Sequence, residues 1–386
     1  MTIRAVFPLL LAAGCAFAPV QATAQVKLLG NVGLGRPLRP LDARARALGG
    51  SAVVLHGGNL SAVNPASLSR IGASGIWLSY QPEKRTIEGD LASGELETAD
   101  FPLFRAVLPM SPRWVAAASF GGLLDRDWGV QFTDTMTLST GDVPFDERRT
   151  SDGGISQFRL EGGYILSPSV TVGAALQYYF GESRLEITRE FPDDPFLSYV
   201  SATALQYTGW GLTLGTEFQP SDEWILGAVV TWNSRLDIRD DSTGAKIDVG
   251  LPIGVDVGLS WLPAPELLIA LAGGWMNWSS LSDDLPDGNV ADSWRLGGGI
   301  ELRALQRGTA WTVFLRVGAS FEKYPFELEG GAPTERAYGL GLGVAFFGGR
   351  GRFDSTVEFG GRGDRDTNNV EESFTRYTFS AAVFTN

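Results

Sequence analysis

Counting by twos through Lys246–Pro263 picks out Ile247, Val249, Leu251, Ile253, Val255, Val257, Leu259 and Trp261, all apolar. The positions between them are Asp248, Gly250, Pro252, Gly254, Asp256, Gly258 and Ser260, which are small, polar or acidic. A period of two marks a β-strand. The run exceeds the ~5–6 residues of a common globular strand and suits the ~9–11 tilted residues that cross a bilayer. Ile247 to Trp261 are therefore expected to face lipid, with Asp248 and Asp256 in the lumen. Pro252 cannot donate a ladder hydrogen bond and marks an expected kink in the wall.

The same alternation returns in SVTVGAALQYYF from Ser169, WILGAVVTW from Trp224, WRLGGGIEL from Trp294 and WTVFLRVGASF from Trp311. Weaker versions occupy 72–81, 101–109, 113–121, 155–166, 202–218, 267–278, 337–347, 352–361 and 372–384. Together they predict an all-β chain, an antiparallel transmembrane barrel of about 14 strands, an even number as single-chain bacterial barrels have. Connections alternate in length. Short ones follow Pro109, Leu166, Phe218, Leu262, Leu302 and Phe347, and long polar ones span 82–100, 122–154, 182–201, 279–290 and 362–371. Short periplasmic turns and long outer loops give that alternation, with both termini periplasmic. Tryptophan placement agrees: Trp114, Trp224, Trp261 and Trp311 flank short turns, while Trp232, Trp275, Trp278 and Trp294 flank long ones, as two interfacial girdles require.

Composition narrows the class. The 386 residues are 44% hydrophobic, yet past the first residues no run approaches the ~18 apolar residues of a membrane-spanning helix. Residues 1–24 read as a signal peptide: Arg4, an apolar stretch from Ala5 to Ala18, then Ala22-Thr23-Ala24 as the cleavage site. Cys15, the single cysteine, lies within it, so no disulfide or cysteine metal site is expected in the remainder. A net charge of −13 speaks against nucleic acid or anionic lipid as a partner, since both need a basic patch; the barrel reading makes outer-membrane lipid its expected surroundings.

Residues 25–71 do not alternate. Asn64-Pro65-Ala66 has the chemistry of a helix start, Asn capping and Pro in the first turn, and Arg44–Leu48 could form another turn stopped by Gly49-Gly50. Such a segment is stable only if packed inside the barrel formed by 72–386. There Arg159, Glu161, Asp248, Asp256, Arg295, Glu301, Arg316, Asp354 and Glu358 could pair with its arginines. We read it as a plug.

Here the chain resembles a family. GLGR (Gly33, Gly35, Arg36), then GNLS (Gly58, Asn59, Ser61) and NPA (Asn64, Pro65, Ala66) are similar to the N-terminal hatch of FadL-type outer-membrane transporters, and ALGG with NPA resembles the PorV/PorQ proteins. The resemblance implies a 14-stranded barrel, an N-terminal hatch and passage of hydrophobic or amphipathic small molecules. The PorV-like alternative implies an accessory protein of a type IX secretion system, with secretion components as partners.

Catalytic chemistry is thin, and no enzyme and no cofactor is expected. His56 is the one histidine, and no Gly-x-Ser-x-Gly accompanies His56-Gly57-Gly58. GLGLG at 339–343 lies in a strand pattern and reads as close packing. Asp364, Asp366 and Asn368 begin like a calcium loop, but Asn369 replaces its glycine and Thr375 its glutamate, so a solvated acidic loop is expected and no metal.

Overall fold

The computed structural model describes residues 34–89, 93–138, 141–191, 197–284, 290–308, 310–328 and 330–385. Cys15, the leader and Gly33 lie outside them. Fourteen antiparallel strands close into a barrel. They are β1 (Ser74–Gly89), β2 (Ser93–Ser111), β3 in two segments (Trp114–Asp125 and Trp128–Leu138), β4 (Gly141–Ser167), β5 (Val170–Glu190), β6 (Tyr199–Ser221), β7 in two segments (Trp224–Asn233 and Leu236–Asp240), β8 in two segments (Lys246–Val249 and Gly254–Ala264), β9 (Leu267–Met276), β10 (Ser293–Arg307), β11 (Trp311–Lys323), β12 (Thr334–Phe346), β13 (Gly351–Asp364) and β14 (Val370–Thr385). Closure is by β14 on β1, Val370↔Gly89 through Thr385↔Ser74. A closed sheet leaves no edge in the bilayer, which lipid demands of any spanning sheet.

Period-two sequence becomes an inside and an outside. Along β1, Ile76, Leu78 and Tyr80 are exposed while Trp77, Ser79 and Gln81 are buried. The outward set is an apolar band with rings at its margins: Trp224 stacks on Trp261 at 5.1 Å near the short turns, and Trp294 on Phe321 at 5.3 Å near the other end.

Three expectations need correcting. The segments at 82–100, 122–154 and 182–201 are not mainly loops: β1–β6 run on as long hairpins, β4 alone covering 27 residues. Their alternation is broken by charge and glycine, which hid it. Second, Ile247, Val249 and Leu251 do not face lipid. β8 is interrupted between Val249 and Gly254, at Pro252, and the faces invert there: Val249 and Leu251 are buried, whereas Ile253, Val255 and Val257 are exposed. Asp248, on the opposite face from Val249, is exposed and not lumenal. Third, Trp278 is no girdle residue; it is buried edge-on against Phe326, 5.2 Å away.

Candidate functional site

Residues 34–71 pack against buried positions of the strands. Asp42 caps α1 (Ala43–Ala47), accepting from the Ala45 N–H at 3.2 Å, and its carboxylate also accepts from the Ser61 hydroxyl at 2.6 Å. Asn64 caps the 3-10 turn Pro65–Arg70 in the same way, accepting from Ala66 N–H at 3.0 Å. Its amide also donates to the carbonyls of Val53 at 3.0 Å and Thr216 on β6 at 3.2 Å, so one side chain ties the turn to the segment and to the wall. Asn59 donates to the Ala52 carbonyl at 2.6 Å and accepts from Ser61 N–H. Buried backbone polar groups must find partners, and here capping side chains supply them in place of a ladder.

Glycines of the wall admit this segment. A Cβ on Gly318 would lie 2.5 Å from the Ala47 carbonyl oxygen, and one on Gly341, inside GLGLG, 2.5 Å from Ala47 Cβ. The glycine run is thus the bed of α1.

Arginines fasten the two parts. Arg44 makes a two-armed bond to Glu301 at 2.8 and 2.7 Å and gives its remaining donors to the carbonyls of Gly58 and His56, each at 2.8 Å. Such paired charge-assisted bonds fix geometry. Glu301 also holds Arg316, which reaches Asp354 at 2.8 Å, and Asp354 in turn holds Arg352. Arg70 binds Glu217 at 2.5 Å and Gln219 at 2.6 Å, next to the short turns. At the opposite end Gly35, with φ of 99°, delivers Arg36 to Asp125 at 2.7 Å. Arg36 and Pro37 pair with Asp125 and Leu124 of β3 as a short added strand.

Most of the predicted charged residues are brought together and one is not. Glu161 accepts from Arg105 and from Ser119, both at 2.7 Å, with Arg159 3.9 Å off. Asp256 pairs with Arg295, and Glu358 faces Arg376 at 3.5 Å. Asp248 is the outlier, as above. Sequence reading missed the hub, Glu83, which gathers Arg376 at 2.6 Å, Arg362 at 2.9 Å, Arg85 at 3.1 Å and Arg36 at 3.7 Å. Its signal was there: Ser79, Gln81, Glu83 and Arg85 continue the inward set of β1 past the point where apolar outward residues stop.

Near the long-hairpin end the lumen turns apolar. Leu34, Leu124, Ile155, Tyr179, Tyr207, Leu236, Val249, Leu251, Trp278 and Phe326 form one buried cluster. Polar handles rim it: Tyr179 donates to Asn233 at 2.5 Å, whose amide donates to the Pro252 carbonyl at 2.6 Å, and Ser183 bonds Tyr207 at 2.7 Å. Pro252 therefore lies where the wall break meets this cluster. The interior thus carries this apolar cluster beside its ion-paired networks.

The remaining candidates are held in local hydrogen bonds. His56 bonds Ser260 at 2.7 Å and the Asp222 carbonyl at 3.1 Å beside a short turn. Asp364 caps α2 (Arg365–Asn368), accepting from the N–H groups of Asp366 at 3.0 Å and Thr367 at 3.2 Å.

The sequence pattern of the BamG family matches residues 10–249, more than half of the chain. No curated protein is similar to it in sequence. Among solved structures, the fold is similar to that of the toluene transporter TbuX of Ralstonia pickettii, at 17% identity and a TM-score of 0.63 over 90% of this chain and 99% of that one. It is also similar to the P. putida toluene transporter TodX, at 15% identity and a TM-score of 0.62 over 90% and 99%. A Pseudomonas aeruginosa FadL homologue aligns at 12% identity and a TM-score of 0.58 over 91% and 99%. At these identities the likeness is one of architecture, that of a FadL-like outer-membrane barrel. By its sequence the chain belongs to the BamG family.

Proposed function

We propose that this chain is a non-enzymatic outer-membrane channel for hydrophobic or amphipathic small molecules, in which residues 25–71 plug the barrel formed by 72–386 once residues 1–24 are removed. The observation that supports the reading is the buried cluster of aromatic and aliphatic side chains around Leu34, Tyr179, Leu251 and Trp278 at the long-hairpin end of the interior. Apolar pockets with a few placed polar groups are the usual form of a small-molecule site. The structural relatives named for toluene transport favour the same substrate class; the secretion-accessory alternative gains no support from them.

Uptake of an apolar fluorescent dye by cells making the chain tests this. Uptake should exceed that of cells without it, fall for Leu251→Asp, which puts a charge in the apolar cluster, and rise when Val26–Ser61 is deleted from a barrel that still assembles. Equal uptake with and without the chain would refute the channel reading.

A further inference from the structure

β2 and β3 pair from Phe104↔Phe120 down to Ser111↔Trp114, and beyond Phe104 they part. Among the described residues, the stretch 93–103 of β2 pairs with β1 alone, and Trp128–Leu138 of β3 pairs with β4 alone. Two strand edges thus face each other across a seam with no ladder between them among the described residues, though Gly121 still lies against Pro102 at its lower end. Natural sheets cover or blunt such edges, because they invite pairing. The other break in this wall follows that rule. Where Lys246–Val249 of β8 leaves β9, the turn Ser279–Asp284 covers the gap, Asp284 accepting from Gly250 N–H at 3.2 Å and pairing with Arg235 at 3.1 Å. At the β2–β3 seam Arg36–Leu38 covers the lower end and Leu328 packs with Ile87 and Val130, but among the described residues no strand pairs across the seam above Asp125.

We propose that this seam is a docking groove for an extended, basic polypeptide segment of a partner protein, which pairs as an added strand. The lower end of the same β3 edge already holds such a segment. Arg36 and Pro37 lie antiparallel to Asp125 and Leu124, Leu38 N–H donates to the Leu123 carbonyl at 2.8 Å, and the Arg36 guanidinium sits on Asp125. Among the described residues that pairing stops at Asp125, and the edge of Trp128–Leu138 carries no further partner.

The groove measures about 740 Å³. Its lining combines an apolar floor, Ile87, Trp128 and Val130, with four carboxylates, Glu95, Glu97, Asp127 and Asp152, against one cation, Arg148. Lys84 on β1 binds Glu95 at 2.9 Å and reaches Glu97 at 4.0 Å, leaving the carboxylates in excess by number. The indole N–H of Trp128 is buried without an acceptor, a donor waiting for a carbonyl. Exposed Glu95 and Glu97 place the groove beyond the apolar band, in water, where a soluble partner can reach it. In strand addition, main-chain bonds supply affinity, and the acidic rim selects sign. This role is independent of what passes through the lumen.

The probe is a fluorescein-labelled peptide alternating lysine with valine and threonine, titrated by anisotropy against the full mature chain in detergent. Saturable binding is expected, weakened at least tenfold by Glu95→Lys with Glu97→Lys, both at exposed positions. The same peptide N-methylated at alternate residues, which keeps charge and removes ladder donors, should fail to bind. No saturable binding overturns the proposal, and so does equal binding of the methylated peptide or of the double variant. Binding that emerges only after residues 26–33 are deleted would assign the groove to the chain's own N-terminus and overturn it too.

Discussion

The position of the bilayer along the strands can be tested by placing one arginine at two depths on the same pair of strands. Val255 on β8 lies opposite Trp275 of β9, and Leu271 lies opposite Leu259; Val255 and Leu271 are both exposed outward. Trp275 belongs to the girdle near the long hairpins, so Val255 sits at the interface and not near the midplane. Leu271 is four residues further along β9, or ~14 Å at ~3.4 Å per residue, which a ~40° tilt reduces to ~10 Å of depth. Within an apolar band ~25 Å tall, that is close to the middle. Arginine there costs ~2–4 kcal/mol against ~0–1 at the interface. Leu271→Arg should therefore lower the unfolding free energy by about 2–3 kcal/mol more than Val255→Arg does, a factor of roughly 30–150 in the equilibrium constant at 1.4 kcal/mol per tenfold. Urea titration of each variant in phosphatidylcholine vesicles, followed by tryptophan fluorescence, measures the difference. Equal costs would mean that the girdle assignment, and the depth reckoned from it, is wrong.

Two further outcomes follow from the long-hairpin end. Burial, with Asp125 alongside, pushes the Asp127 carboxyl up to about 6 from 3.8; it sits in the interruption of β3, beyond the apolar band. A carboxyl raised on folding contributes stability below its unfolded pKa, and loses it as pH rises through the folded value. Asp127→Asn keeps an acceptor for the Gly153 N–H and removes the charge, so its urea midpoint should gain on the parent's as pH climbs from about 4 to about 6. Parallel pH curves would contradict this. For orientation, a cysteine at Thr137 should react with an impermeant maleimide on intact cells and one at Ser221 should not; the reverse labelling would invert the barrel.

The strand count was legible because alternation is local: Val170, Val172 and Ala174 show their face without knowing their partners. Strand length was not, since beyond the bilayer neither face must be apolar, and Glu83-Lys84-Arg85 reads as loop though it continues β1. Interior charges were legible by parity wherever an apolar outward set ran alongside, as for Glu301 and Arg316. Glu83 and Arg362 escaped because they sit at strand levels where the outward residues are polar or glycine, whereas Arg376 lay beside outward Tyr377 and Phe379 and was readable by parity. The Pro252 break was visible; its consequence was not. Proline explains the lost ladder bond, but the inversion of Val249 and Leu251 into the lumen depends on Trp278 and Phe326 being there to receive them.

That inversion shows how the interior acquires two chemistries from one pattern. Strict alternation in a wall whose outside faces lipid sends every polar residue inward, and buried charges are tolerated only when partnered. The arginines of residues 34–71 meet this need, with Arg44 on Glu301 and Arg70 on Glu217, at sequence separations of 257 and 147. Apolar residues turn inward on regular strands too, Ile155, Tyr179 and Tyr207 among them. The interruptions of β3, β7 and β8 add to these, since Leu124, Leu236 and Val249, each at the edge of one, join the same cluster. The apolar cluster is thus built jointly by inward residues of regular strands and by residues that the interruptions turn inward, and it is at the interruptions that the interior departs from the alternation read in the sequence.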